Sequence, residues 1–123
     1  MAWNLDSDRP IFTQIVERIQ LDIISGIYKP GDKLPSVRDL AGEAAVNPNT
    51  MQKAFAELER TGLVFSQRTT GRYITEDTNM IAELRNNIAQ SKVIELIGHM
   101  HKLGFTNEEI LNLMKAILEK GEL

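Results

Sequence analysis

Asn49, Gln52, Lys53 and Ala56 recur at i, i+3, i+4 and i+7, so a helix carrying them shows one face that is polar, basic and small. Such a face suits insertion into a groove. Other candidates for chemistry offer less. His99 and His101 are the only histidines, and an i, i+2 pair does not share one side of a helix, so a joint metal site within one chain is not expected. Asp39, Glu43, Glu57 and Glu59 fall on short polar helix faces with no nucleophile, glycine-rich phosphate loop or ligand cluster nearby, which argues against acid–base catalysis. The absence of cysteine excludes disulfides and thiolate metal sites. Neither an enzyme nor a cofactor is expected.

The elements that would position this face are legible from caps and periodicity. Asp8-Arg9-Pro10, a capping-type residue and a first-turn proline, precedes Phe12, Ile15, Val16, Ile19 and Ile23 at helical spacing, and Gly26 closes that first helix. A turn over Tyr28–Lys33 leads through Leu34-Pro35 to Ser36-x-x-Asp39, an N-cap with an acidic third position, and to a second helix burying Val37, Leu40, Ala41 and Ala44. Asn47-Pro48 then opens a third helix with Met51, Ala54, Phe55 and Leu58 inward, opposite the polar face. After Thr61-Gly62, Leu63–Gln67 and Arg72–Thr75 flank Arg68-Thr69-Thr70-Gly71, which predicts a two-stranded hairpin with a basic tip. Trp3 and Tyr28 are expected in apolar contact with the first helix rather than around a small pocket.

Two further helices follow. The longer carries Ile81, Leu84, Ile88, Val93, Leu96, Ile97 and Met100 and stops at Leu103-Gly104; the shorter opens with the capping box Thr106-x-x-Glu109 and carries Ile110, Leu111, Leu113, Met114, Ile117 and Leu118. Two helices cannot bury that much apolar surface against each other. Pairing with the same helices of a second subunit is expected, through Ile81, Leu84, Ile88, Leu96, Ile97, Met100, Ile110, Leu113, Met114 and Ile117. The fold class expected is mainly α with a small β-hairpin: a winged helix-turn-helix over residues 1–75, followed by a two-helix dimerisation tail over residues 76–123.

Composition fits one soluble domain with a small appendage, since the chain has 123 residues, 42% of them apolar and 25% charged. No apolar run approaches the roughly 20 residues needed to cross a bilayer, so no membrane partner is expected. Residues 1–6, Met-Ala-Trp-Asn-Leu-Asp, lack the basic and apolar regions of a secretory signal, and a cytoplasmic location is expected. The net charge of −3 is unevenly spread: residues 1–75 carry nine Lys/Arg and nine Asp/Glu, residues 76–123 five and eight. Charge alone would not have suggested a polyanionic partner.

The string Pro30-Gly31-Asp32-Lys33-Leu34-Pro35-Ser36-Val37-Arg38-Asp39-Leu40-Ala41 resembles the signature of the GntR family of bacterial regulators. At the family's spacing come Val46-Asn47-Pro48-Asn49-Thr50-Met51-Gln52-Lys53-Ala54 and Glu57-Leu58-Glu59-Arg60-Thr61-Gly62-Leu63-Val64, which resemble its recognition helix and the run into its wing. The likeness covers about residues 9–75. A tail of two helices is similar to that of the short YtrA-type branch, as is Asn47-Pro48-Asn49-Thr50.

The resemblance implies a homodimer that binds double-stranded operator DNA, with the third helix in the major groove and the wing on the flanking backbone or minor groove. On that template Asn49, Gln52 and Lys53 read base edges, the amides suiting adenine and the lysine guanine. Thr50 and Asn47 sit at the helix N-terminus where a phosphate is favoured, with Asn47 equally open to a capping role. Arg38 matches the arginine of the family's Pro-Ser-x-Arg-x-Leu motif and contacts DNA on this reading; a surface pair with Asp39 or Glu43 is the alternative. Arg68 and Arg72 are the wing's phosphate contacts. Two departures stand out: many relatives have arginines where this chain has Pro48 and Gln52, and Thr69-Thr70-Gly71 keeps one glycine of the usual Gly-x-Gly. The first shifts the expected readout toward adenine, and the second leaves the wing-tip contacts open.

An inverted repeat with half-sites about one helical turn apart, and repression by promoter occlusion, are the expected outcome. Any small-molecule effector would have to bind between the two domains or at the dimer interface. A protein-binding winged module is the competing reading, but such a surface would favour exposed aromatics and leucines over Asn49, Gln52 and Lys53.

Overall fold

In the computed structural model, which describes residues 3–121, α1 (Ile11–Ile24), α2 (Val37–Ala44) and α3 (Pro48–Arg60) precede an antiparallel hairpin of β1 (Val64–Gln67) and β2 (Gly71–Ile74). Helices α4 (Thr78–Lys102) and α5 (Asn107–Lys120) follow. This is the winged helix-turn-helix with a helical tail expected from the sequence. The outer ends of the expected segments 1–75 and 76–123, including Met1 and Ala2 read for a leader, lie outside the described residues.

The caps explain where the helices begin. Ser36 Oγ accepts the Asp39 amide at 3.0 Å and Asn47 Oδ1 accepts the Asn49 amide at 2.8 Å, each satisfying a first-turn N–H that would otherwise lack a partner. Helix α1 is different: Pro10 occupies its N-cap position with no side-chain cap, so Asp8 does not play the part expected of it. Gln14 substitutes. Its side chain, buried, accepts from the Asp6 amide and donates to the Asp6 and Arg9 carbonyls, tying the entering chain to α1.

The core forms as the periodicities dictate. Ile15, Ile19 and Ile23 of α1, Leu40, Ala41 and Ala44 of α2, and Met51, Ala54, Phe55 and Leu58 of α3 are buried together with Leu34, Leu63, Val64 and Ile74. Trp3 and Tyr28 pack against this cluster, as do Ile81 and Leu84 from the start of α4. Burial also pushes the Tyr28 phenol up, and the nearby Asp22 and Glu43 carboxylates add to the rise. One feature of the hairpin is invisible in the sequence. The segment 31–34 runs beside β2, with Leu34 donating to the Arg72 carbonyl at 2.8 Å and Ile74 to the Asp32 carbonyl at 2.8 Å, so the wing is anchored along its outer edge.

The turn between α2 and α3 holds Ala45 at φ 60, ψ 48, the left-handed region. An L-residue there costs roughly 1–2 kcal/mol, partly offset by its lower unfolded-state entropy relative to glycine. Ala45→Gly is therefore expected to raise stability by about 0.5–1 kcal/mol, read as a higher urea midpoint at unchanged slope; a lower midpoint would contradict it.

The chain divides into two compact units, Met1–Leu84 and Arg85–Leu123, with the division inside α4. Ile81 and Leu84, expected at a subunit interface, thus lean on the core of the first unit. In the second, the C-terminus of α4 closes in a Schellman turn, Phe105 N–H donating to the Met100 carbonyl and Gly104 N–H to His101, with Gly104 at φ 91. The capping box of α5 is complete: Thr106 Oγ1 accepts the Glu109 amide and Glu109 Oε1 accepts the Thr106 amide. That backbone bond holds the Glu109 carboxyl below the usual carboxylate range, so its contribution is present at neutral pH and is lost as pH falls through the lowered value.

Candidate nucleic-acid interface

Helices α2 and α3, joined through residues 45–47, pack on each other, and α3 also packs on α1 and β1. That packing consumes the apolar stripe of α3 and leaves its other side outward: Asn49, Gln52, Lys53 and Ala56 are all exposed, and Thr50 is partly so. Asn47 is committed as the α3 cap through its Oδ1, while its carbonyl starts the helix by accepting from Thr50 and Met51. The Lys53 ammonium lies 5.4 Å from the centroid of the Phe12 ring, on the α1 side of the face.

Beside this face a cleft of about 700 Å³ opens between the start of α2, α3 and the wing, lined among others by Lys33, Ser36, Arg38, Gln52, Thr70 and Arg72. Lys33 comes close to the wing because Gly71, at φ 124, carries no side chain there; a Cβ would stand 3.0 Å from the lysine Cε. The wing tip is the three-residue loop 68–70, with Thr70 N–H donating to the Gln67 carbonyl and Thr69 in the left-handed region at φ 65. Arg68 is exposed at that tip.

The even count of charges over residues 1–75 conceals which of them are paired. Arg9 is held by Glu17, Arg18 by Asp22, Arg60 by Glu57 and Arg72 by Glu59. Glu57 is accordingly held below the ordinary carboxylate range by its hydrogen bonds from Arg60. Among the described residues Lys33, Arg38, Lys53 and Arg68 have no carboxylate partner, so the alternative of an Arg38 pair with Asp39 or Glu43 is not what the side chain does. Four of the nine carboxylates over residues 1–75 are taken up by these pairs, while Lys33 and Arg38 line the cleft, Lys53 lies on the outward face of α3 and Arg68 at the wing tip. Arg72 stands apart from them. Its guanidinium is paired with Glu59 and lies over the Phe55 ring, an arrangement that nothing in the spacing of the sequence announces.

Residues 12–74, spanning α1 through the wing, match the gntR family of bacterial regulatory proteins. The chain belongs to the GntR family. It is 38% identical over 112 residues to the HTH-type transcriptional repressor YtrA of Bacillus subtilis, covering 90% of this chain and 86% of that one. A solved GntR family transcriptional regulator from Listeria monocytogenes superimposes with a TM-score of 0.86 at 45% identity, covering 91% of this chain and 98% of that one. The DNA-binding domain of AraR, solved in complex with operator ORX1, matches with a TM-score of 0.53 at 26% identity over 61% of this chain and 92% of its own. This GntR protein is of the YtrA type, a DNA-binding helix-turn-helix transcriptional regulator and not an enzyme. No described helix is long and apolar enough to cross a membrane.

Proposed function

We propose that this regulator binds an inverted-repeat operator as a homodimer, with α3 of each protomer in the major groove and the wing on the flanking backbone or minor groove, and that it represses by occluding a promoter. The observation that carries the reading is that Lys33 and Arg38, neither in an ion pair, line one cleft with Gln52 beside the exposed Asn49 and Lys53 of α3, so phosphate-seeking charges adjoin amides suited to base edges. The α3 N-terminus, with Thr50 partly exposed, favours a backbone phosphate as well. Residues 1–75 supply the DNA contacts and residues 76–123 the subunit contacts.

Dimerisation is supported by the apolar surface of the second unit. None of the 25 residues of α4 is buried, and Val93, Ile94, Leu96, Leu103, Leu111, Leu113 and Leu118 are exposed large hydrophobics. Ile88, Ile97, Met100, Met114 and Ile117 are only partly buried, and Ile110 alone is fully covered in α5. A second copy would remove this surface from water. Any effector would act by preferring one spacing of the two recognition helices over another.

The test is enrichment of sequences from a pool of random duplexes by the purified protein. An inverted repeat with half-sites about one helical turn apart is expected; a pool that stays random would remove the reading. On the enriched duplex, Arg68→Ala is expected to weaken binding and to make the logarithmic salt dependence shallower by about 0.9 per protomer, the loss of one phosphate contact. An unchanged slope would take Arg68 out of the interface.

A further inference from the structure

Glu59 grips both strands of the wing. Its Oε1 accepts from Ser66 Oγ at 3.0 Å and is paired with the Arg72 Nε–H. Ser66 on β1 and Arg72 on β2 are direct cross-strand partners, so one carboxylate on the last turn of α3 spans the width of the hairpin. The Arg72 guanidinium meanwhile rests over Phe55, 5.2 Å from the ring centroid, and Phe55 is fully buried one turn earlier on the same helix. With side-chain exposures of 27% and 32%, this pair is better shielded from solvent than Arg9–Glu17, at 46% and 52%, or Arg60–Glu57, at 70% and 34%. An arginine whose charge is met by a carboxylate and whose plane lies on a ring is fixed to its own protein. Beyond this pair the hairpin extends only through Gln67 and Gly71 to the tip, so a tilt where Glu59 holds it is carried out to Arg68.

We propose that Glu59, with Ser66, Arg72 and Phe55, forms a clamp that sets the wing relative to the reading face of α3, and that Arg72 is a positioning residue for DNA recognition instead of a phosphate contact. The inference rests on the operator-binding reading above. Charge and clamp predict opposite signs for the loss of Glu59. Removing a carboxylate beside a polyanion should, on charge alone, tighten binding; removing the clamp should loosen it.

The experiment compares the full-length wild type, Glu59→Gln, Arg72→Gln, Arg72→Lys and the Glu59→Gln/Arg72→Gln double variant on the duplex enriched from the random pool. Each single variant is expected to bind roughly tenfold more weakly, with the double variant no weaker than either, as for residues acting as one unit. Glu59→Gln and Arg72→Gln should also change the salt slope equally, and Arg72→Lys, which keeps the charge but not the planar fork, should not restore affinity. Glu59→Gln binding as tightly as wild type or tighter, or recovery by Arg72→Lys, would overturn the clamp. A second readout needs no DNA: in the free protein the Arg72 Nε–H resonance should be protected from water exchange and lose that protection in Glu59→Gln. An unprotected Nε–H in the wild type overturns the clamp itself, whereas a protected one beside a pool that stays random means that the operator reading has failed and the clamp has not.

Discussion

Leu96→Glu combined with Leu113→Glu is expected to convert the protein into a folded monomer and to lower its affinity for a two-half-site operator by roughly 10²–10⁴-fold. Both side chains are more than a third exposed in the single chain, at 43% and 40%, and glutamate is a strong helix former, so neither change should unfold the protomer. In a dimer the same positions lie among the apolar residues that a second copy covers, and two glutamates per protomer would place four uncompensated carboxylates in that contact. The loss of affinity follows because two linked half-site contacts become two independent ones. Sedimentation gives the mass, far-ultraviolet circular dichroism the helicity, and anisotropy the affinity. A variant that stays dimeric would show that these helices pair through another face.

Phe55→Ala is expected to cost about 3–5 kcal/mol, a large fraction of the roughly 5–15 kcal/mol available to a domain of this size. Phe55 is fully buried on α3, the helix that packs on α1, α2 and β1, so its loss leaves a cavity that none of them can close alone. It also removes the ring beneath Arg72. Urea unfolding followed by circular dichroism should show a much lower midpoint. Phe55→Leu should lose far less stability yet still weaken operator binding, because it refills the core without restoring the aromatic seat. A loss below about 1 kcal/mol for Phe55→Ala would mean that the core around α3 collapses to fill the space.

The helices and the polar outward face of α3 were legible because they depend on short-range patterns. The stripe Met51, Ala54, Phe55 and Leu58 turned inward as its spacing required, and doing so obliged Asn49, Gln52 and Lys53 to turn out. The caps at Ser36, Asn47 and Thr106 were equally local, each needing only residues within three positions. What could not be read depends on residues brought together from afar. Pairing of segment 31–34 with β2 leaves no periodic trace in four residues containing Gly31 and Lys33. Arg72 looked like another exposed wing arginine because its partner Glu59 is 13 positions away, and only the docking of the hairpin on α3 makes them meet. The sharing of α4 between two units was hidden likewise: Ile81 and Leu84 belong to the same apolar series as Ile88, yet they face the first core.

On the proposed function, the outward face of α3 reads sequence. Fluorescence-anisotropy titration of the wild type and of the Gln52→Ala/Lys53→Ala variant, each against the enriched duplex and a scrambled one, tests it most directly. Wild type should prefer the enriched duplex, and the variant should retain weak, salt-sensitive binding while losing that preference, since each base contact contributes about 1–3 kcal/mol of discrimination. A variant that still distinguishes the two duplexes as wild type does would contradict the account.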